Sequence, residues 1–162
     1  MKKIYLAGFD VFRMDAIEHG ERLKAMCLEV GLEGVYPMDN ALPPGCTGPD
    51  GAQWICKANL NMLSNADAVV ANLDSFRGSE PDSGTVFEVG FAVAKGIPVW
   101  VYFQDHSTMV EVIKPDAHGL CAEGYLVEDF GLPKNLMLAC TWTGSSKTAE
   151  EAISGIATHL NQ

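Results

Sequence analysis

Residues 66–96 read ADAVVANLDSFRGSEPDSGTVFEVGFAVAKG, and the fold is decided by how this stretch divides. Ala66 to Leu73 is a short apolar run of strand length centred on Val69 and Val70, and Asp74 closes it. From Ser75 to Gly84 the composition turns to Ser, Gly, Pro, Asp, Glu and Arg, which is loop chemistry. A helix is then expected from about Ser83 to Gly96, glycine suiting the left-handed position after a helix end. Val86, Phe87, Val89, Phe91, Ala92, Val93 and Ala94 leave that helix almost no polar face, so it is expected to be covered on most sides.

Glu88 is the one acid in this helix. A carboxylate in apolar surroundings costs free energy unless it is paired or hydrogen-bonded, and a place near the helix start offers partial relief. Two readings are open from the pattern. Thr85, Glu88, Ala92 and Lys95 share one helical stripe, which suits an ordinary solvated glutamate. The same position suits a nucleophile kept ionised and poorly solvated. Asp82 lies too far along to share a helix face with Glu88 at about 3.6 residues per turn. It reaches the same place only from the loop, across the helix start, which Pro81 and Gly84 make feasible.

Working outward, Lys3–Gly8 (KIYLAG) reads as a first strand ending in small residues. Phe9–Arg13 reads as a loop, and Ala16–Val30 as a helix with Asp15 as its cap. A short second strand is expected at Gly34–Pro37. Leu42–Gly51 is rich in Pro and Gly and reads as an irregular loop, a candidate lid. A helix follows from Ala52, and IPVWVYF after Gly96 gives a fourth strand. Some helix is expected around Thr108–Ile113, a fifth strand at Leu136–Trp142, and a last helix at Thr148–Leu160 capped by Ser145 or Ser146. Alternating strands and helices, with strands apolar on both faces, predict a single α/β domain: a doubly wound, five-stranded parallel sheet in flavodoxin-like order 2-1-3-4-5. The ligand then lies beyond the carboxyl ends of the strands, where strand order reverses.

Composition narrows the function. The chain has 162 residues, enough for one domain with a real core, and a formal net charge of −10. No cluster of Lys and Arg exists to hold phosphates, which argues against nucleic acid. Five cysteines without CxxC spacing fit a reduced, cytoplasmic setting, and four scattered histidines give no metal-ligand pattern. No apolar run approaches the roughly 18 residues a membrane span needs, so no membrane contact is expected. Neither a GxGxxG nor a Walker loop is present, and no metal or cofactor is expected.

The pieces IYLAG (4–8), PMDN (37–40), DSFRGSEPDSGTVFEVGFA (74–92) and LPKNLM (132–137), in this order, resemble the nucleoside 2-deoxyribosyltransferases over Ile4 to about Leu138. The resemblance implies transfer of 2-deoxyribose between nucleobases by double displacement, with 2'-deoxynucleosides and free nucleobases as substrates, as in purine salvage. It implies that Glu88 is the nucleophile and forms a covalent sugar ester, by the logic of retaining glycosidases. By the same analogy Tyr5 orients Glu88, Asp82 holds the sugar hydroxyls, Gly84 lets the sugar lie against the backbone, and Phe12 packs on the base. Asn59 falls where some bacterial members carry an aspartate that protonates the departing base, and an amide does not supply a proton readily. Asn135 and Met137 match residues that relatives lend to a neighbouring subunit, which implies a homo-oligomer, at least a dimer. Two alternatives stand beside this reading: an N-glycoside hydrolase of 2'-deoxynucleosides or their 5'-monophosphates, and a non-catalytic nucleoside sensor. Asp10 and Asp15 in the loop after the first strand suit a phosphate poorly. Asp74 and Arg77 are expected to pair and shape their loop.

Overall fold

The computed structural model describes residues 1–162. Five parallel strands, β1 (Lys3–Ala7), β2 (Glu33–Val35), β3 (Ala68–Asn72), β4 (Val99–Tyr102) and β5 (Gly144–Ser146), form one sheet in the order β2-β1-β3-β4-β5. The expected architecture and strand order are both met.

Period-two alternation distributes the core. Ile4, Leu6, Ala68 and Val70 face one side, where α1 (Ala16–Glu29) and α6 (Ala149–Leu160) supply Leu23, Cys27, Ile153 and Ile156. Tyr5, Ala7, Val69 and Ala71 face the other, against Leu63 of α2 (Gly48–Ser64) and Val89 and Ala92 of α3 (Ser83–Ala94). Tyr5 therefore points at α3 because it is odd-numbered in a strand whose even positions serve the opposite layer.

α3 starts where the sequence predicts, and its cap is specific. Asp82 Oδ2 accepts from the Thr85 amide at 2.9 Å and from Thr85 Oγ1 at 3.0 Å, a cap of a kind that stabilises a helix by about 1 kcal/mol. The helix ends at Lys95, and Gly96 takes the left-handed φ of 70°. Its coverage differs from expectation. Thr85, Val89 and Ala92 are buried, whereas Phe87 is 57% exposed and Gly90 is open to solvent, so one apolar face is left uncovered.

The fifth strand is a correction. The helix expected around Thr108–Ile113 is α4 (Met109–Ile113), but Leu136–Ala139 is a one-turn helix, α5, capped by Asn135, whose Oδ1 accepts from the Met137 amide at 3.0 Å. β5 comes later, as the polar tripeptide Gly144–Ser146. An edge strand pairs on one side only and needs little apolar length. The space beside it is taken by Trp100: a Cβ on Gly144 would meet the indole at 2.7 Å and one on Gly155 at 2.4 Å, while Trp100 Nε1 donates to Ser146 Oγ at 2.9 Å. Smaller differences concern caps. α6 is capped by Thr148, whose hydroxyl accepts from the Glu151 amide, and not by Ser145 or Ser146. Asp15 occupies the cap position of α1 without a capping hydrogen bond and pairs instead with Arg13 and Arg22 at 2.8 and 2.9 Å. α2 begins at Gly48, so the irregular part of the proline-rich segment ends at Thr47. No helix is long and apolar enough to cross a membrane.

Candidate active site

The strand order reverses between β1 and β3, and a cleft of about 130 Å³ opens at their carboxyl ends. Its lining includes Gly8, Phe12, Asn59, Asp82, Gly84 and Glu88, with Val11, Pro37 and Thr85 completing the wall. Six of the sequence-predicted residues thus meet at one place: Phe12, Asn59, Asp82, Gly84 and Glu88 in the lining, and Tyr5 beneath it.

Glu88 is half-buried, flanked on its stripe by the buried Thr85 and Ala92, so it is not an ordinary solvated glutamate. It stands in the second turn of α3, deeper than the first-turn amides can serve. What holds its charge is Tyr5, fully buried on β1, whose hydroxyl donates to Glu88 Oε1 at 2.5 Å. Desolvation raises the Glu88 pKa above the usual glutamate range, the Tyr5 hydrogen bond pulls it back, and the nearby Asp82 charge adds to the rise. The Tyr5 hydroxyl is pushed far above its ordinary value by burial first and by the Glu88 charge second, so it remains a donor.

Asp82 commits Oδ2 to its cap, and Oδ1 makes no hydrogen bond within the protein. Gly84 leaves room for this arrangement, since a Cβ there would stand 3.0 Å from Asp82 Oδ2 and the carboxylate would have to give by a few tenths of an ångström. Asn59, on α2, accepts from Asn40 Nδ2 at 3.4 Å, which leaves its own amide hydrogens to donate. Phe12 ends the 3-10 turn Phe9–Phe12 and is 59% exposed.

Asn135 and Met137 are not brought into this cleft. They border a separate groove of about 510 Å³ between α3 and α5, with Val86, Gly90 and Val93 on its other wall, and Met137 is 69% exposed. The expected Asp74–Arg77 pair does not form. Asp74 accepts from the Gln104 amide at 2.8 Å, and Arg77 lies over the rings of Phe76 and Phe12 at 4.6 and 5.4 Å.

A buried polar cluster beneath the first loop was missed from the sequence. Asp10 is 4% exposed and accepts from Asn72 Nδ2 at 2.8 Å. His19 Nε2 lies 3.4 Å from Asp10 Oδ1, close enough to attract when protonated but not aligned for a hydrogen bond. Burial raises the Tyr102 pKa first, and the Asp10 charge adds to the rise. The available signal is a carboxylate three residues beyond β1, in the turn at the carboxyl edge of the sheet.

The profile of the family described as nucleoside 2-deoxyribosyltransferase matches residues 4–137. The chain belongs to that family. A solved 2-desoxiribosyltransferase of Leishmania mexicana is 34% identical, with 98% of this chain and 99% of that one covered and a TM-score of 0.83. A conserved protein from Enterococcus faecalis V583 is 25% identical with a TM-score of 0.69, over 98% of this chain and 99% of that one. Among curated proteins, an uncharacterized protein of Schizosaccharomyces pombe is 31% identical over 114 residues, 68% of this chain. The chain spans about half the length of that relative, 54%. The family is one of deoxyribosyl-transferring enzymes, and the cleft lies within the matched residues.

Proposed function

We propose that this protein transfers 2-deoxyribose between nucleobases by double displacement, with Glu88 as the nucleophile. The observation that carries this reading is the Tyr5 hydroxyl donating to Glu88 Oε1 at 2.5 Å beside Asp82 and Gly84. One oxygen of Glu88 is held and the other is free to attack. In the first step that oxygen bonds to C1' of a 2'-deoxynucleoside as the C1'–N bond breaks, and the base leaves with the electron pair. The lining has no acid besides Asp82 and Glu88, so the leaving base draws its proton from water or from Asp82 while the Asn59 amide holds its edge. In the second step a nitrogen of another base bonds to C1', the ester C–O bond breaks, and Glu88 regains its carboxylate. Two inversions restore the original configuration. Asp82 Oδ1 accepts from the sugar hydroxyls, and Phe12 offers a ring face to the base.

The uncovered face of α3 and the groove beside Met137 support an assembly in which a second copy covers Phe87 and Gly90 and lends Asn135 and Met137 to this cleft. Transfer to water in place of a base would give the hydrolytic reaction from the same intermediate.

The test is incubation with deoxyinosine and free adenine, with intact-protein mass measured after rapid acid quench. Deoxyadenosine in solution and a single deoxyribosyl adduct on the peptide containing Glu88 are expected, and E88A should give neither. An adduct on another residue, or an active E88A, overturns the mechanism.

A further inference from the structure

The loop after β3 holds a structure that the chemistry above does not use. Ser75–Glu80 is closed on itself: the Phe76 amide donates to the Glu80 carbonyl at 3.0 Å and Ser75 Oγ to the Ser79 carbonyl at 3.0 Å. From this loop Phe76 slots between two rings of the β1 loop. It stacks on Phe9 with centroids 4.8 Å apart and 18° between planes, and on Phe12 at 5.5 Å and 12°. Arg77 then lies over both Phe76 and Phe12. Its φ of 56° is left-handed, a region that non-glycine residues enter at a cost, and glycine would occupy it freely. The other arginines, Arg13 and Arg22, pair with Asp15, whereas Arg77 makes no ion pair. Its interactions are with the aromatic stack.

Phe12 is the one ring of this stack that lines the cleft. A ring that is 59% exposed on a short turn needs support to keep one orientation, and Phe76 and Arg77 are what it has. We propose that Arg77 is a positioning residue that fixes the Phe12 shelf, and that it thereby decides how much of the deoxyribosyl intermediate passes to an incoming base and how much to water. The proposal rests on the double displacement described above. In one branch a base nitrogen takes C1' from Glu88 and its N–H proton goes to solvent. In the other a water oxygen takes C1', releasing free deoxyribose and a proton. Only the first branch needs a flat partner held against Phe12, so loosening the shelf weakens base capture and leaves the reaction with water alone.

The experiment compares wild type with R77A, R77G and R77K in deoxyinosine plus adenine at graded adenine concentrations, measuring deoxyadenosine and free deoxyribose. A guanidinium over two rings corresponds to roughly a three- to thirtyfold effect on base affinity. R77A and R77G should raise KM for adenine by that factor, change kcat little, and raise the deoxyribose-to-deoxyadenosine ratio in step at low adenine. R77G removes the side chain at a backbone position that suits glycine, so it separates loss of the stack from strain. R77K keeps the charge without the planar face and should fall between. An unchanged product ratio in folded R77A and R77G, or a fall in kcat with KM and ratio unmoved, overturns the proposal. Adenine binding to the resting enzyme by calorimetry reads the shelf without turnover. Weaker binding in R77A supports the shelf even if no covalent intermediate forms in wild type, and equal binding refutes it independently of the mechanism.

Discussion

Removing one oxygen atom tests the centre of this site. In Y5F the ring stays packed against the α3 side of the sheet, and Glu88 loses the hydroxyl that donates to it at 2.5 Å. That bond is the one influence lowering the Glu88 pKa against desolvation and the charge of Asp82. A hydrogen bond to a charged group contributes about 1.5–3 kcal/mol, and about 1.4 kcal/mol corresponds to one pKa unit. Because Glu88 is only half-buried, water replaces part of what the phenol supplied, and the lower end applies, about one unit upward. The nucleophile must be ionised, so kcat/KM falls as pH drops through the Glu88 pKa of the free enzyme. The acid limb of the Y5F profile should therefore stand about one pH unit above that of wild type. Below the wild-type limb the two should differ by about tenfold. The assay is deoxyinosine-to-adenine transfer across the pH range, with circular dichroism confirming the fold. Superimposable acid limbs would refute the role given to Tyr5.

Glu88 also has a signature in stability. Its folded pKa is raised above the unfolded value, so its contribution is fully present below the ordinary glutamate range and is lost as pH rises through the folded pKa. E88Q should thus melt higher than wild type at about pH 8, and the gap should close as pH falls toward about 4; a gap that widens on acidification contradicts the assigned burial. G84A should gain up to about 1 kcal/mol of helix propensity, less what the 3.0 Å approach to Asp82 Oδ2 takes back, while KM for deoxynucleoside rises. Denaturant midpoints and steady-state kinetics read both, and an unchanged KM would remove the reason for glycine there. F87E places a charge on the uncovered face of α3 and should lower the sedimenting mass and the activity together, because Asn135 and Met137 then no longer reach a neighbour's cleft. A fully active monomer would disprove the shared site.

β1, β3 and α3 are readable because each is an apolar run bounded by its own punctuation; β1 carries Tyr5, and α3 carries Glu88 with Asp82 as its cap. LMLA deceived because four apolar residues have the length of a buried strand, and only the Asn135 cap distinguishes the turn of helix they form. β5 was illegible since its space is filled by Trp100 from the neighbouring strand, and no local pattern in Gly-Ser-Ser reports that. The stripe containing Glu88 carries the same letters whether α3 turns it toward β1 or toward solvent; the Tyr5 contact decides it. Proximity along the chain points Arg77 to Asp74, whereas its partners include Phe12, which joins it only when two strand ends meet. The sequence shows Asp10 only as a loop acid ill-suited to a phosphate, whereas its place is inside, with Asn72.

Asp82 lines the cleft with one carboxylate oxygen stitched to the first turn of α3 and the other making no hydrogen bond within the protein. Occupancy by a sugar should therefore be felt along the peptide that bears the attacking group: amide hydrogens at Thr85 and Val86 should exchange with solvent more slowly once substrate arrives. The helix would tighten around its own nucleophile at the moment the nucleophile is needed.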